Sequence, residues 1–73
     1  MIYKGQQAKD IVAEILGSYD KELERYPEHV GDQGYFKNEL GSWTAWDNMT
    51  GDCWVEDFPT RRDCIDWCNG VFH

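Results

Sequence analysis

The stretch GYFKNELGSWTAWDNMTGDCWVEDF, residues 34–58, decides the fold of this chain. It contains the same turn pattern twice, Asn-x-x-Gly, at residues 38–41 and again at residues 48–51. Aromatic and β-branched residues, which favour strands, flank both turns. Between strands, such a segment is typical of a type I turn followed by a glycine in the left-handed region. The stretch therefore predicts a three-stranded antiparallel meander.

The turn geometry also predicts the pairing of the strands. It places Phe36 opposite Thr44 in the first hairpin, and Trp46 opposite Trp54 in the second. Since side chains alternate along a strand, each residue is assigned to one of two faces. One face is expected to carry Phe36, Thr44, Trp46, Trp54, Glu56 and Phe58. The other is expected to carry Tyr35, Lys37, Trp43, Ala45, Asp47, Cys53, Val55 and Asp57.

Both faces are partly apolar, and we expect two short helices to cover only one of them. The other face then leaves an aromatic patch, surrounded by acids, exposed to solvent. Such a patch usually marks an interface. The alternative is that the Trp46 and Trp54 rings form a cross-strand pair that only stabilises the hairpin, by about 0.2–1 kcal/mol.

A helix is predicted before the meander, over residues 6–25, because apolar residues recur there at helical spacing. Pro27 ends it by Tyr26, and residues 27–34 form a loop in which His29 is expected to be solvated. The apolar stripe comprises Ala8, Ile11, Val12, Ile15, Leu16, Tyr19 and Leu23.

A second helix is predicted over residues 60–69, with Thr60 as its N-cap and Asn69-Gly70 as its stop signal. Val71 and Phe72 are expected to fold back onto the core. Residues 1–73 are thus predicted to form a single α+β domain of order α-β-β-β-α, with the meander packed against two helices.

The charge of the chain is strongly negative. It has 14 Asp and Glu against 7 Lys and Arg, a formal net charge of −7. Nine of the acids but only three of the bases follow residue 25, so the meander and the second helix hold most of the negative charge. Such a surface repels nucleic acid and membranes and favours a basic protein partner.

The chain has three cysteines, an odd number, and no N-terminal stretch that combines a basic region, an apolar region and a cleavage site. No apolar run reaches the roughly 20 residues of a membrane span. We therefore expect free thiols and a cytoplasmic location.

A zinc site built from Cys53, Cys64, Cys68 and His73 is an alternative use of these residues. No Cys-x-x-Cys pair is present, and buried cysteines also behave as small apolar residues, so we expect no metal and no cofactor. A Cys–His nucleophile pair lacks an orienting third group, and no catalytic motif is present, so we expect a non-enzyme.

The order helix, three strands, helix resembles that of double-stranded-RNA-binding domains. Those domains carry a basic cluster at the start of the second helix, where this chain has only Arg61 and Arg62 beside Asp63 and Asp66. Phosphate contacts dominate RNA affinity, so the charge argues against RNA binding.

In size, charge and element order the chain also resembles small phage-encoded inhibitors of bacterial defence, the anti-CRISPR proteins among them. Some of these are acidic α+β domains that fill a DNA-recognition groove. The resemblance implies an inhibitor that mimics DNA in the host cytoplasm and binds a basic nucleic-acid-binding enzyme such as a Cas effector.

The predicted binding surface combines carboxylates and tryptophans of the meander. Its residues are Glu39, Asp47, Asp52, Glu56, Asp57, Trp46 and Trp54. The alternative belongs to another functional class: a small structural or regulatory module that forms a homodimer through the exposed sheet face.

Overall fold

A computed structural model of the chain describes residues 1–70, so the expected fold-back of Val71 and Phe72 lies outside the described residues. The elements follow in the order β1 (Ile2–Lys4), α1 (Gly5–Leu16), β2 (Gln33–Lys37), β3 (Trp43–Asp47), β4 (Trp54–Phe58) and α2 (Arg61–Cys68). They form a mixed sheet with two helices, which confirms the predicted α+β class.

The sheet has the strand order β1-β2-β3-β4. Strands β2, β3 and β4 pair antiparallel in sequence order, as predicted. Strand β1 was not predicted; it pairs parallel with β2, with Ile2 opposite Gln33 and Lys4 opposite Tyr35. Three residues are too few for an alternating pattern to show in the sequence.

Helix α1 ends at Leu16, and the prediction that it continues to residue 25 was wrong. The Gly17 N–H still bonds to the Ala13 carbonyl, but the Ser18 hydroxyl and N–H both turn back to the Ile15 carbonyl. Beyond this point Asp20 organises a turn, since its side chain accepts the N–H groups of residues 22 and 23. Tyr19 and Leu23, which follow the helix, are exposed, and so is its last residue Leu16; all three were assigned to the apolar stripe.

Helix α2 begins and ends where the sequence predicts. The Thr60 hydroxyl accepts the Asp63 N–H at 3.2 Å, and the Gly70 N–H bonds to the Trp67 carbonyl past the C-cap residue Asn69. Gly70 has a φ of 76°, the left-handed conformation that ends many helices.

The predicted pairing was right for the first hairpin and wrong by one residue for the second. Phe36 lies opposite Thr44 as expected, but Trp46 lies opposite Val55 instead of Trp54. Cys53 belongs to the second loop, where it adopts a left-handed φ of 51°. The loop is therefore longer than a tight turn. A one-residue shift moves every side chain of a strand to the other face.

The two helices lie on opposite faces of the sheet, and the expectation that both cover one face was wrong. Adjacent strand residues show this directly. Trp46 packs with the α1 residues Ile11 and Ile15, whereas its neighbour Ala45 packs with Cys64 and Cys68 of α2. We call the first side of the sheet the α1 face and the second the α2 face.

The α1 face is built around Trp46, which is fully buried. Its ring lies over Gly34, its partner on β2; a Cβ added to that glycine would come within 2.6 Å of the ring. The indole N–H donates to the Ala8 carbonyl at 3.0 Å. One side chain thus joins β2, β3 and α1.

This contact predicts that Gly34→Ala destabilises the fold. The added methyl group displaces the Trp46 ring, and overpacking of this kind costs about 1–3 kcal/mol. Gly17→Ala is the matched control, because its Cβ would meet the Ala13 carbonyl at an ordinary 3.5 Å and its φ of −81° suits alanine. The control should leave stability unchanged or raise it by up to about 1 kcal/mol. Urea unfolding followed by tryptophan fluorescence measures both; equal midpoints for the two variants would contradict the prediction.

Candidate protein-binding surface along the fourth strand

Strand β4 is the most exposed element of the sheet. It pairs with β3 on one side, and no other strand of residues 1–70 lies on its outer side. Trp54 is 65% exposed and Val55 46%, and the carboxylates of Glu56 and Asp57 are exposed as well. We call these four residues the β4 strip.

The strip presents charge on both faces of the sheet. Glu56 lies opposite Ala45 on the α2 face, and Asp57 lies opposite Thr44 on the α1 face. No Lys or Arg occurs between residues 38 and 60, so neither carboxylate has a basic neighbour on β3 or β4. An edge with like charges on both sides repels anions from either direction and attracts cations.

Trp54 and Asp47 lie side by side at one end of the α2 face, opposite each other in the pairing of β3 and β4. The Asp47 carboxylate is held in place by two donors: the Gln33 amide at 3.0 Å and the Met49 N–H at 2.8 Å. The same Gln33 amide donates to the Cys68 carbonyl at the end of α2, which ties this corner to the helix.

The loop before the strip, residues 48–53, is fixed by Asn48, a fully buried side chain. Its amide nitrogen donates to the carbonyls of Tyr26 and Glu28, at 3.1 and 2.8 Å. Its amide oxygen accepts the Cys53 N–H at 3.0 Å, one residue before Trp54. Asn48 therefore sets where the strip begins. From the sequence Asn48 is predicted only as a turn residue, because Tyr26 and Glu28 lie 22 and 20 residues away in the chain.

On the α1 face, Asp57 borders an open hollow that Lys9 of α1 also lines. Its Oδ1 accepts the Thr44 hydroxyl at 2.7 Å, and that hydroxyl oxygen accepts the Asn38 amide at 3.1 Å. Glu39 lies on the far wall, where its carboxylate is 3.5 Å from Lys9 Nζ. This ion pair is exposed at both ends, so it contributes little stability.

The structure brings most of the predicted site residues together, though on two faces. Asp47, Trp54 and Glu56 lie on the α2 face, and Asp52 is exposed in the loop that precedes β4. Asp57 and Glu39 meet at the hollow on the α1 face.

Trp46 does not belong to this surface, and its assignment as an exposed anchor was wrong. Its ring is buried against α1, so it has no contact with solvent. The error follows from the shifted pairing of the second hairpin, which placed Trp46 and Trp54 on one face.

The cysteines do not converge on a zinc site. Cys53 packs with the α1 cluster, while Cys64 and Cys68 pack on the other side of the sheet. Residues 1–70 contain no group of three His, Cys, Asp or Glu side chains that could hold a metal ion. The fourth candidate ligand, His73, lies outside the described residues.

All three cysteines are free thiols. Burial raises the pKa of Cys64 from 9.0 to about 11, with smaller contributions from Asp63 and Asp57. Burial likewise raises the pKa of Cys68 to about 11, and that of Cys53 above its usual value. Thiols held in the protonated form are poor nucleophiles.

His29 is not the solvated loop residue that the sequence suggested. Its ring is half-buried, with Nε2 3.3 Å from a carboxylate oxygen of Glu14 and Nδ1 3.4 Å from one of Asp32. Its edge also meets the Tyr3 ring, at 6.4 Å between centroids. These contacts explain the residue as a link between α1 and the loop that leads into β2.

No known protein family, curated protein sequence or solved structure matches this chain. Among the helices of the described residues, none is long and apolar enough to cross a membrane.

The role of Asn48 predicts that Asn48→Asp is strongly destabilising. A carboxylate oxygen would replace the buried amide nitrogen and face the carbonyls of Tyr26 and Glu28. A buried charge without a partner costs about 3 kcal/mol or more. Asn38→Asp is the matched control in the other Asn-x-x-Gly turn, where the amide donates only to the Thr44 hydroxyl, for a loss of about 1 kcal/mol. Denaturant midpoints measure both, and similar losses would show that Asn48 has no special role.

The buried thiols predict a loss of stability at alkaline pH. Because their pKa values are higher in the folded chain, Cys64 and Cys68 contribute full stability below pH 9 and lose it as pH rises through about 11. The midpoint of urea unfolding should fall between pH 9 and 11, and less steeply in a Cys64→Ala/Cys68→Ala variant. The two chains differ only at these two cysteines, so the difference between the two slopes reports the thiols. Equal slopes would contradict the assignment.

Proposed function

We propose that this protein is a non-enzymatic inhibitor that binds a basic protein through the β4 strip. The observation that carries the proposal is the exposure of Trp54 and Val55 beside Glu56 and Asp57 on an edge strand. Exposed aromatic and aliphatic side chains supply buried area on binding, and the carboxylates supply long-range attraction. The acids that belong to the same surface are Asp47, Asp52 and, across the hollow, Glu39.

The shape of the strip supports a groove as its binding site. Glu56 and Asp57 project from opposite faces of one edge, so both walls of a groove can contact a carboxylate at the same time. A flat partner surface would reach only one of them. Basic grooves of this kind are what nucleic-acid enzymes use to hold phosphates.

The partner class follows from this chemistry. A net charge of −7 on a chain this small attracts a positive groove at long range and repels nucleic acid itself. The anti-CRISPR-like interpretation therefore remains our proposal for the finer function: a DNA mimic that occupies the nucleic-acid groove of a defence enzyme such as a Cas effector. The three free thiols are in keeping with the host cytoplasm as the place of action.

A second candidate is a homodimer, and the observation that favours it is the exposed edge of β4, since edge strands pair readily with one another. An exposed sheet face is the other route to this homodimer: α2 packs on the α2 face against Tyr35 and Ala45, whereas the α1 face beside Asp57 is open. Two β4 edges would bring their carboxylates close together, which opposes pairing at neutral pH.

Salt distinguishes the two candidates. Salt screens the attraction between the strip and a basic groove, so inhibitor binding should weaken as ionic strength rises. Salt equally screens the repulsion between two acidic edges, so a dimer should strengthen. Sedimentation equilibrium at 50 mM and 500 mM salt measures how salt changes dimerisation. A dimer that forms already at low salt would favour the homodimer over the inhibitor.

The inhibitor proposal is tested by capture and competition. The immobilised chain is exposed to a bacterial lysate, and each protein it retains is purified and bound to fluorescein-labelled DNA or RNA. Wild-type chain should displace the labelled nucleic acid, as measured by anisotropy, and should do so less well at high salt. The variant Glu56→Lys/Asp57→Lys should lose at least tenfold in the competition, because it reverses the charge on both faces of the strip.

Glu22→Lys/Glu28→Lys is the matched control. Both residues are exposed in the loop between α1 and β2, so the variant changes the net charge equally but leaves the strip intact. It should compete like the wild type. The proposal is wrong if the captured proteins bind no nucleic acid, or if the two variants lose competition to the same extent.

A further inference from the structure

The hollow on the α1 face is a recess in a sheet face that α1 covers only in part. Its volume is about 310 Å³, at the small end of ligand pockets, so it suits one side chain better than a cofactor. It lies beside Asp57 of the β4 strip. Its wall is formed mainly by Lys9, Phe36, Glu39, Leu40, Thr44 and Asp57.

Asp57 is oriented in this hollow by uncharged groups. Asn38 Nδ2 donates to Thr44 Oγ1, which leaves the Thr44 hydroxyl proton to donate to Asp57 Oδ1. Thr44 is only 8% exposed, so this relay is held rigidly by the core. The carboxylate is thereby fixed in position, and its charge is not neutralised by a basic residue.

The remaining wall favours a cation with an apolar stem. Phe36 contributes a ring and Leu40, 89% exposed, an aliphatic side chain. The formal charges of Lys9, Glu39 and Asp57 sum to −1, and the Lys9 amine already has Glu39 at 3.5 Å. An aromatic ring beside a fixed carboxylate attracts cations by its quadrupole and packs against the methylene groups of a long side chain.

We infer that this hollow binds one arginine side chain of the partner protein, with the guanidinium on Asp57 and the stem along Phe36. The inference rests on the proposed function and names the contact that the α1 side of the strip makes. Arginine fits better than lysine, because its planar fork forms two parallel hydrogen bonds with a carboxylate and it is more weakly hydrated. A partner that binds phosphates has arginines in its groove to offer.

Lys9 of the hollow opposes the binding of an arginine. Lys9 places a positive charge on the same wall, where it repels an incoming guanidinium. Lys9→Gln should therefore bind arginine several-fold more tightly than the wild type. This variant removes an exposed ion pair only, so it should fold normally.

The test uses the free protein and a small probe, N-acetyl-arginine methylamide, titrated into ¹⁵N-labelled chain at low salt. Amide shifts should be confined to the hollow, at residues 9, 36, 40, 44 and 57, with a dissociation constant in the millimolar range. The uncharged isostere, N-acetyl-citrulline methylamide, should shift them at least fivefold less, and the lysine analogue should bind more weakly than arginine. Equal shifts with the citrulline probe, or shifts spread over the acidic surface, overturn the inference.

Two isosteric variants serve as a pair. Asp57→Asn keeps the acceptor for Thr44 but removes the charge, so arginine binding should fall at least fivefold. Glu56→Gln removes the same charge one residue earlier, on the opposite face, and should bind the probe nearly as well as the wild type. Equal losses in both variants would overturn the inference, as would unchanged binding by Lys9→Gln.

The experiments can refute the arginine site and the proposed function separately. Suppose that the chain displaces nucleic acid from the captured partner, that Asp57→Asn does so as well as Glu56→Gln, and that the arginine probe does not bind. The inhibitor proposal then stands and the arginine site is wrong. If the probe binds as expected but no captured protein loses its nucleic acid, the arginine site stands on the free protein and the partner class is wrong.

Discussion

The burial of Trp46 is the contact on which the rest of the structure depends. Its ring occupies the space that Gly34 leaves by having no side chain, and its N–H is satisfied by the Ala8 carbonyl. A chain of 73 residues has a small core, so one indole that joins two strands and a helix fixes much of the architecture. The same contact draws α1 over β1 and β2. The α1 face of β4 is left open, and the hollow lies there together with Val55 and Asp57 of the strip.

The two Asn-x-x-Gly turns show where local sequence stops being informative. In the first, Asn38 Oδ1 accepts the N–H groups of Leu40 and Ser42, so the side chain serves its own turn and the predicted pairing was correct. In the second, Asn48 turns its amide nitrogen to the loop after α1, and the chain needs the extra residue Cys53 before it can pair again. The two motifs look alike because the contacts that separate them come from distant parts of the chain.

The predictable part of the candidate site is therefore its charge, and the unpredictable part is its geometry. The clustering of acids without bases along residues 38–60 is visible in the sequence, and the exposure of Trp54, Glu56 and Asp57 agrees with it. Their distribution over two faces depends on the length of one loop. Equally, α1 ends at Leu16, where Ser18 turns the chain although apolar residues continue at helical spacing. Periodicity alone cannot detect such an end.

The acids of β4 have a simpler explanation than binding, which is that charged edges keep sheets from pairing with one another. That explanation accounts for Glu56 and Asp57 but not for their neighbours. Trp54 and Val55 are 65% and 46% exposed, and large apolar side chains on an open edge promote the association that the acids oppose. Nor does edge protection require the Asn38–Thr44 relay that fixes the Asp57 carboxylate. A fixed carboxylate, an exposed indole and a recess with an aromatic wall are together what a binding edge needs, and protection alone needs none of the three.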